Sequence, residues 1–330
     1  MSIAFNPRPR RPRFSPVACS PVLGALGAVD LAPSWFAEED ALEVRIARTA
    51  RHRRGGGGGG LTYAAAAVTA AVLLFVVGYI LVRGVPALSP DLFQWEYTSE
   101  NVSLLPALAS TVIMALLALA LAVPVGVGAA IYLVEYARRG SRFVRLVRVT
   151  AETLQGIPSI IYGLFGMLFF VTACGWGLSL LSGACTLAIM VLPVIMRTTE
   201  EALMAVPDSY REGGFGLGAG RLRTVARCVL PSAVPGILGG VILALGRCVG
   251  EVAALLFTAG TVAQIPDFAG QGIFALFDSC RTLAVHMYTL ACEGLHVNEA
   301  YATSVVLLIL VLLLNAAMRV VAQKMEVSKK

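Results

Sequence analysis

Histidine occurs only three times in this chain, and none of the three lies in a long apolar run. The side chain most used for proton transfer at neutral pH is therefore missing from anything the chain could bury in lipid. No His-Glu-x-x-His helix and no Gly-x-Ser-x-Gly elbow is present, which excludes the commonest zinc-protease and serine-hydrolase layouts. A Gly-x-x-x-x-Gly-Lys-Ser/Thr loop to cradle nucleotide phosphates is also missing, so any ATP-driven motor must be another protein. Gly214, Gly216 and Ala219 satisfy the relaxed Gly-x-Gly-x-x-Ala pattern, but no strand is expected before them. The reading is of a protein with no catalytic residues.

Charge is scarce as well. Only 14% of the 330 residues are Asp, Glu, Lys or Arg, while 57% are hydrophobic, a balance that places the chain in the membrane class. The net charge of +6 would suggest nucleic acid in a soluble protein, but aromatics do not interleave with the arginine clusters, and no nucleic-acid partner is expected. The seven cysteines include no Cys-x-x-Cys pair and read as small hydrophobes. Cys280, His286, Cys292 and His296 could be drawn as a metal site, but their spacing matches no familiar zinc pattern and no metal is expected. A Cys280–Cys292 disulfide on an oxidising side is the stronger of the two readings.

What is present is a series of apolar runs. Residues 61–82, 107–134, 152–173, 176–196, 233–259 and 302–321 are each near or above the ~20 residues a helix needs to cross a bilayer. Before them, 1–60 is expected to be a cytoplasmic, disordered leader: a basic, proline-broken tail, one helix near 34–54 and a glycine linker at 55–60. No signal peptide is expected ahead of Leu61. Residues 61–106 then hold the first span and an external segment carrying Trp95, Tyr97 and acidic residues, and 107–330 hold the core. Of the 26 basic residues, 23 fall in 1–60, 135–150, 197–231 and 319–330; by the positive-inside rule, both termini and the 197–231 segment face the cytoplasm. A second external segment, 260–301, contains an amphipathic helix over 282–295 that reads as a lid or ledge.

Two stretches carry functional chemistry. The fifth run places Arg247 and Glu251 four residues apart, on one face of a helix in mid-membrane. A charge there costs ~3 kcal/mol on insertion scales, so such residues normally face a bundle interior or a wet pathway. A fixed ion pair is the competing reading. Arginine, with its planar fork, suits an oxyanion. In the third run, Pro158 kinks the helix and frees a backbone carbonyl, and Ser159 and Gln155 offer polar groups where it opens.

The charged island at 197–236 reads as a loop with its own short helices. Thr199 and Glu201 start one that Pro207 ends. Ser209 and Glu212 have capping-box spacing for a second, running to about Leu217, with Gly218 as a left-handed stop. The stretch resembles the EAA loop of ABC-importer permeases: EAA, three residues, Gly, nine residues, Ile, one residue, Leu-Pro. Glu212, Gly218, Leu230 and Pro231 take the matching positions, and Glu201-Ala202 the upstream pair. Gly213 and Gly214 stand where alanines are usual, and Cys228 where isoleucine is usual; two glycines cost roughly 2 kcal/mol of helix propensity.

The third and fifth runs are similar to those of permeases of the phosphate-specific transport system. Gly156 to Phe165 reads GIPSIIYGLF, and Arg247, Gly250, Glu251, Ala253, Leu255, Phe257, Thr258, Ala259 and Gly260 match the family's fifth-span pattern. This resemblance covers roughly 104–324. It implies an all-α membrane protein with six transmembrane helices and the type I importer (MetI-like) permease fold, acting as an A-type permease in the inner or plasma membrane. Its implied partners are a C-type permease, an ATPase dimer holding ATP and magnesium, and an external phosphate-binding protein, with no cofactor on this chain. The EAA loop alone leaves open a same-fold permease for sulfate, molybdate or an organic solute, and a non-transporting scaffold remains the third reading.

Overall fold

The computed structural model describes residues 58–138 and 140–327; the tail, the 34–54 helix and Cys19 lie outside them. The chain divides into two compact units, 1–71 and 72–330. Every regular element among the described residues is helical. Five helices are long and apolar enough to cross a membrane, and six spans result if one sharply bent pair is counted as a single crossing.

Helix α1 (Gly58–Gly84) begins inside the expected glycine linker and is apolar along its length. Helix α2 (Leu105–Ile131) follows two short 3₁₀ turns and ends in a π-helical turn, Tyr132–Tyr136. Its interior Pro124 lies on the exposed side of the helix. Helices α3 (Arg142–Gln155) and α4 (Ser159–Gly166, continuing as a π-helical stretch to Ala173) form the bent pair.

Helix α5 (Leu180–Met204) is the centre of the bundle. Leu180, Ala184, Leu187, Val191 and Ile195, spaced by three or four residues, are buried and make one continuous face. Opposite them on α2 stand Met114, Ala115, Ala118 and Ala122, and the three alanines let the helices approach closely. After α6 (Asp208–Gly216), the chain re-enters the bundle through α7 (Arg221–Thr224), a π-helical turn and α8 (Leu230–Val249). A short α9 (Ala253–Thr258), the surface helix α10 (Leu283–Glu293) and the long α11 (Val297–Val327) complete the order.

Two satellite clusters define the ends. At the basic end, Ala130, Leu133, Val144, Met196, Leu203 and Val229 pack together. At the far end, Leu92, Leu104, Ala107, Leu283 and Ala302 do so. There, α10 replaces the expected 282–295 helix with slightly tighter limits: Thr282 caps it, and the Leu283 amide donates to Thr111 Oγ1 of α2 at 2.7 Å.

Several expectations are corrected. The third run is not one helix, because Pro158 has no amide hydrogen and disfavours α geometry at Ile157; the chain turns by 102° there. The fourth span starts at Leu180 rather than at Trp176, which stacks on Phe170 instead. The 197–236 island is not a loop: α5 runs through Thr199, Glu201 and Ala202 to Met204, and the fifth span starts as early as Arg221. Cys280 and Cys292 are both free thiols, the first buried and the second exposed on α10. Burial pushes the Cys280 thiol up to about 12, which keeps it an inert hydrophobe.

Candidate functional site

The bundle contains two broken helices, and their second halves touch. The first break follows Gln155. The Leu154 carbonyl, which also takes the Ile157 amide at 3.2 Å, accepts a 2.7 Å hydrogen bond from the Tyr162 hydroxyl, so a residue beyond the bend ties back across it. Gln155 Nε2 donates to the Pro193 carbonyl of α5 at 3.1 Å. Ser159, half-buried as the first residue of α4, makes no hydrogen bond through its hydroxyl among the described residues.

The second break separates α8 from α9 and overturns the expected shared helix face. The helix ends at Val249, between Arg247 and Glu251. Glu251 turns forward instead, and its Oε1 accepts the Ala254 amide at 3.2 Å, capping α9. The fixed Arg247–Glu251 ion pair is not formed. Arg247, half-buried in the last turn of α8, has no ion pair or hydrogen bond among the described residues. It stands in the last turn before the second break and lies within electrostatic reach of Tyr162, which follows the first.

The broken halves pack backbone against backbone. A Cβ on Gly163 of α4 would sit 2.8 Å from the Ala254 Cα of α9, so only glycine allows this approach. Tyr162 was not singled out from sequence, although a hydroxyl in an apolar run signals a fixed partner.

Toward the basic end, a cavity of about 170 Å³ opens between α3 and α5, lined by Arg148, Glu152, Gln155, Arg197, Glu200 and Glu201. Arg148 pairs with Glu200; Arg197 reaches Glu152 at 3.4 Å and Glu201 at 3.1 Å.

The coupling candidates lie at the same end. Helix α6 has Pro207 at its N-cap, with no side-chain cap, so the Ser209–Glu212 capping box does not form: the turn starts two residues too early for Ser209 to serve. Both side chains are exposed, as is Gly213. Gly218 closes the helix with a φ of +76°. Gly214 is buried against Thr224, and a Cβ there would come within 2.7 Å of the threonine side chain. That contact explains glycine where alanine is usual, since the two arms of the α6–α7 hairpin close on each other at this point.

Tyr210, Phe215, Leu217 and Leu222 form an exposed apolar rim on the hairpin, with Leu217 91% exposed. Such a rim beside Glu212 suits a protein docking surface. Leu230 and Pro231 occupy the first turn of α8, where proline costs no hydrogen bond. Glu201 and Ala202 close the last turns of α5, with Ala202 packed under Gly236.

Sequence reasoning missed Arg211. Its guanidinium donates to Glu135 at 2.7 and 3.1 Å, to the Leu203 and Val206 carbonyls at 3.0 and 2.9 Å, and to Asp208 at 3.2 Å.

A bundle with broken spans, an unpaired intramembrane arginine and a helical hairpin projecting from one end is the arrangement of a transport permease. Residues 122–327 match the family described as the binding-protein-dependent transport system inner membrane component, and the chain belongs to that family. It is a multi-pass inner membrane permease of an ABC importer and not a catalytic subunit; permeases of this class work with an ATPase and a binding protein.

The probable ABC transporter permease protein YqgI of Bacillus subtilis (strain 168) is 36% identical over 255 residues, 73% of this chain and 85% of that protein. The phosphate transport system permease protein PstA of Mycobacterium leprae (strain TN) is 32% identical over 226 residues, 66% of this chain and 70% of that protein. Among solved structures, a bacterial ABC transporter involved in the import of the acidic polysaccharide alginate matches with a TM-score of 0.57 and 16% identity, covering 83% of this chain and 99% of that one. This last likeness concerns the fold alone.

Proposed function

We propose that this chain forms half of the translocation pathway of an ATP-driven importer of inorganic phosphate and couples through α6 to a separate ATPase. The observation that carries the reading is the unpaired Arg247 guanidinium at the junction of two broken spans. A charge left without a partner in a bundle interior is costly, and an oxyanion in transit is the partner its fork suits. Ser159 supplies a free hydroxyl to the same passage. Gln155 and Glu251 act indirectly, the first by bracing the bend against α5, the second by capping α9. One arginine suits transit better than tight capture, which belongs to the external phosphate-binding protein.

Relatives named for phosphate transport support this choice of solute. The remaining partners are a C-type permease and an ATPase dimer carrying ATP and magnesium. The distribution of basic residues supports cytoplasmic termini and a cytoplasmic hairpin.

Radiolabelled phosphate uptake in vesicles holding the assembled transporter tests the proposal. Arg247→Ala should lower uptake by about a hundredfold, the effect of ~3 kcal/mol. Undiminished uptake rejects the role of Arg247. Competition by sulfate or molybdate equal to that by unlabelled phosphate would reject phosphate as the solute.

A further inference from the structure

We propose that Arg211 is the positioning residue that makes the α6–α7 hairpin and the basic end of α2 move as one body, so that α2 carries displacement of the hairpin to the far end of the bundle. The inference rests on the reading of α6 as the ATPase-docking helix.

Three observations support it. First, one guanidinium links three elements. It holds Glu135 in the π-helical end of α2 and donates to the carbonyls of Leu203, in the last turn of α5, and of Val206, just beyond it, while pairing with Asp208 at the start of its own helix. A planar fork can reach two carbonyls and a carboxylate together where an ammonium could not. The pair is withdrawn from water, with side-chain exposures of 17% for Arg211 and 7% for Glu135.

Second, the other arm of the hairpin grips the neighbouring residue: Arg221 lies over the Tyr136 ring at 5.5 Å. The turn Tyr132–Tyr136 is thus held from both arms, and Gly214 against Thr224 keeps the arms closed.

Third, α2 and its π-helical turn form one continuous span, Leu105–Tyr136, whose far end is fastened to α10 by the Thr111–Leu283 hydrogen bond. A displacement of the hairpin therefore has an unbroken path to α10, whereas α3–α4 and α8–α9 are both interrupted.

The test uses the assembled transporter and reads the exposed Cys292 on α10 by peptide-resolved maleimide labelling, with and without ATP and vanadate. Trapping should change the labelling rate of the native complex by about fivefold or more. Glu135→Gln and Arg211→Lys should abolish that change while the ATPase still co-purifies; Arg211→Lys keeps the buried charge and guards against simple misfolding. An unchanged response in both variants overturns the tie alone. Failure of the ATPase to co-purify with the native chain overturns the docking reading, and the tie with it.

Discussion

Arg211 and Arg247 are the same residue type in opposite states. Arg211 spends its donors on a carboxylate, two helix-end carbonyls and an aspartate, whereas Arg247 has none of its donors engaged among the described residues. The difference teaches how to separate a structural arginine from one held for a ligand. A saturated guanidinium contributes to the fold, because losing it strands its partners. An unsaturated one contributes little to the fold and is available to something that passes. Arg281 at the far end repeats the saturated pattern: it donates to the Thr261 carbonyl at 2.8 Å and to His286 Nδ1 at 3.0 Å, and lies over the Tyr97 ring.

Stability measurements on the purified complex can break this comparison. Arg211→Ala should cost about 3–5 kcal/mol, because Glu135 is left buried and unpaired. Arg247→Ala should not lower the stability, because it removes a half-buried charge that no partner compensates. Equal losses from both would erase the distinction.

The saturated arginine at the far end brings a pH dependence. Burial, and then Arg281 beside it, pull the His286 pKa from its ordinary value down to about 4. Between pH 6.5 and 4 the unfolded chain then binds the extra proton, so stability is fully present above about pH 6.5 and falls as the solution is acidified. We expect a loss of roughly 2 kcal/mol from pH 7 to 5, read as a falling midpoint, and a flatter slope in His286→Gln.

Smaller changes sharpen the picture at the hairpin. Gly214→Ala should destabilise by about 1–3 kcal/mol through its clash with Thr224, although alanine is the better helix former. Gly213→Ala, with open space around its Cβ position, should instead stabilise α6 by up to ~1 kcal/mol. Least of all, Ser209→Ala should cost under ~0.5 kcal/mol; a loss near 1 kcal/mol would restore the capping box that the structure lacks.

Much of the architecture was legible in the sequence because apolar length and basic clusters are one-dimensional signals. The spacing from Glu212 through Gly218 to Leu230-Pro231 was equally visible. The break at Gly250 was not, since Arg247 and Glu251 keep a helical spacing whether or not the helix continues between them. Pro158 announced the other break, though not its angle. Arg211 stayed hidden because its carboxylate lies 76 residues upstream, where no periodicity connects them. Gly214 looked like a weakened helix until Thr224 was placed beside it. The capping box fails for a local reason: Pro207 takes the helix start that the Ser209–Glu212 spacing assigns to Ser209.

The contact between Gly163 and Ala254 limits how a gate can work in this molecule. With no side chain between them, the two half-spans have nothing to compress and no rotamer to flip, so they behave as a single wedge. If Arg247 lines the solute's path as proposed, that path widens along the flanks of the wedge, beside Arg247 and the Tyr162 ring, and not through its middle.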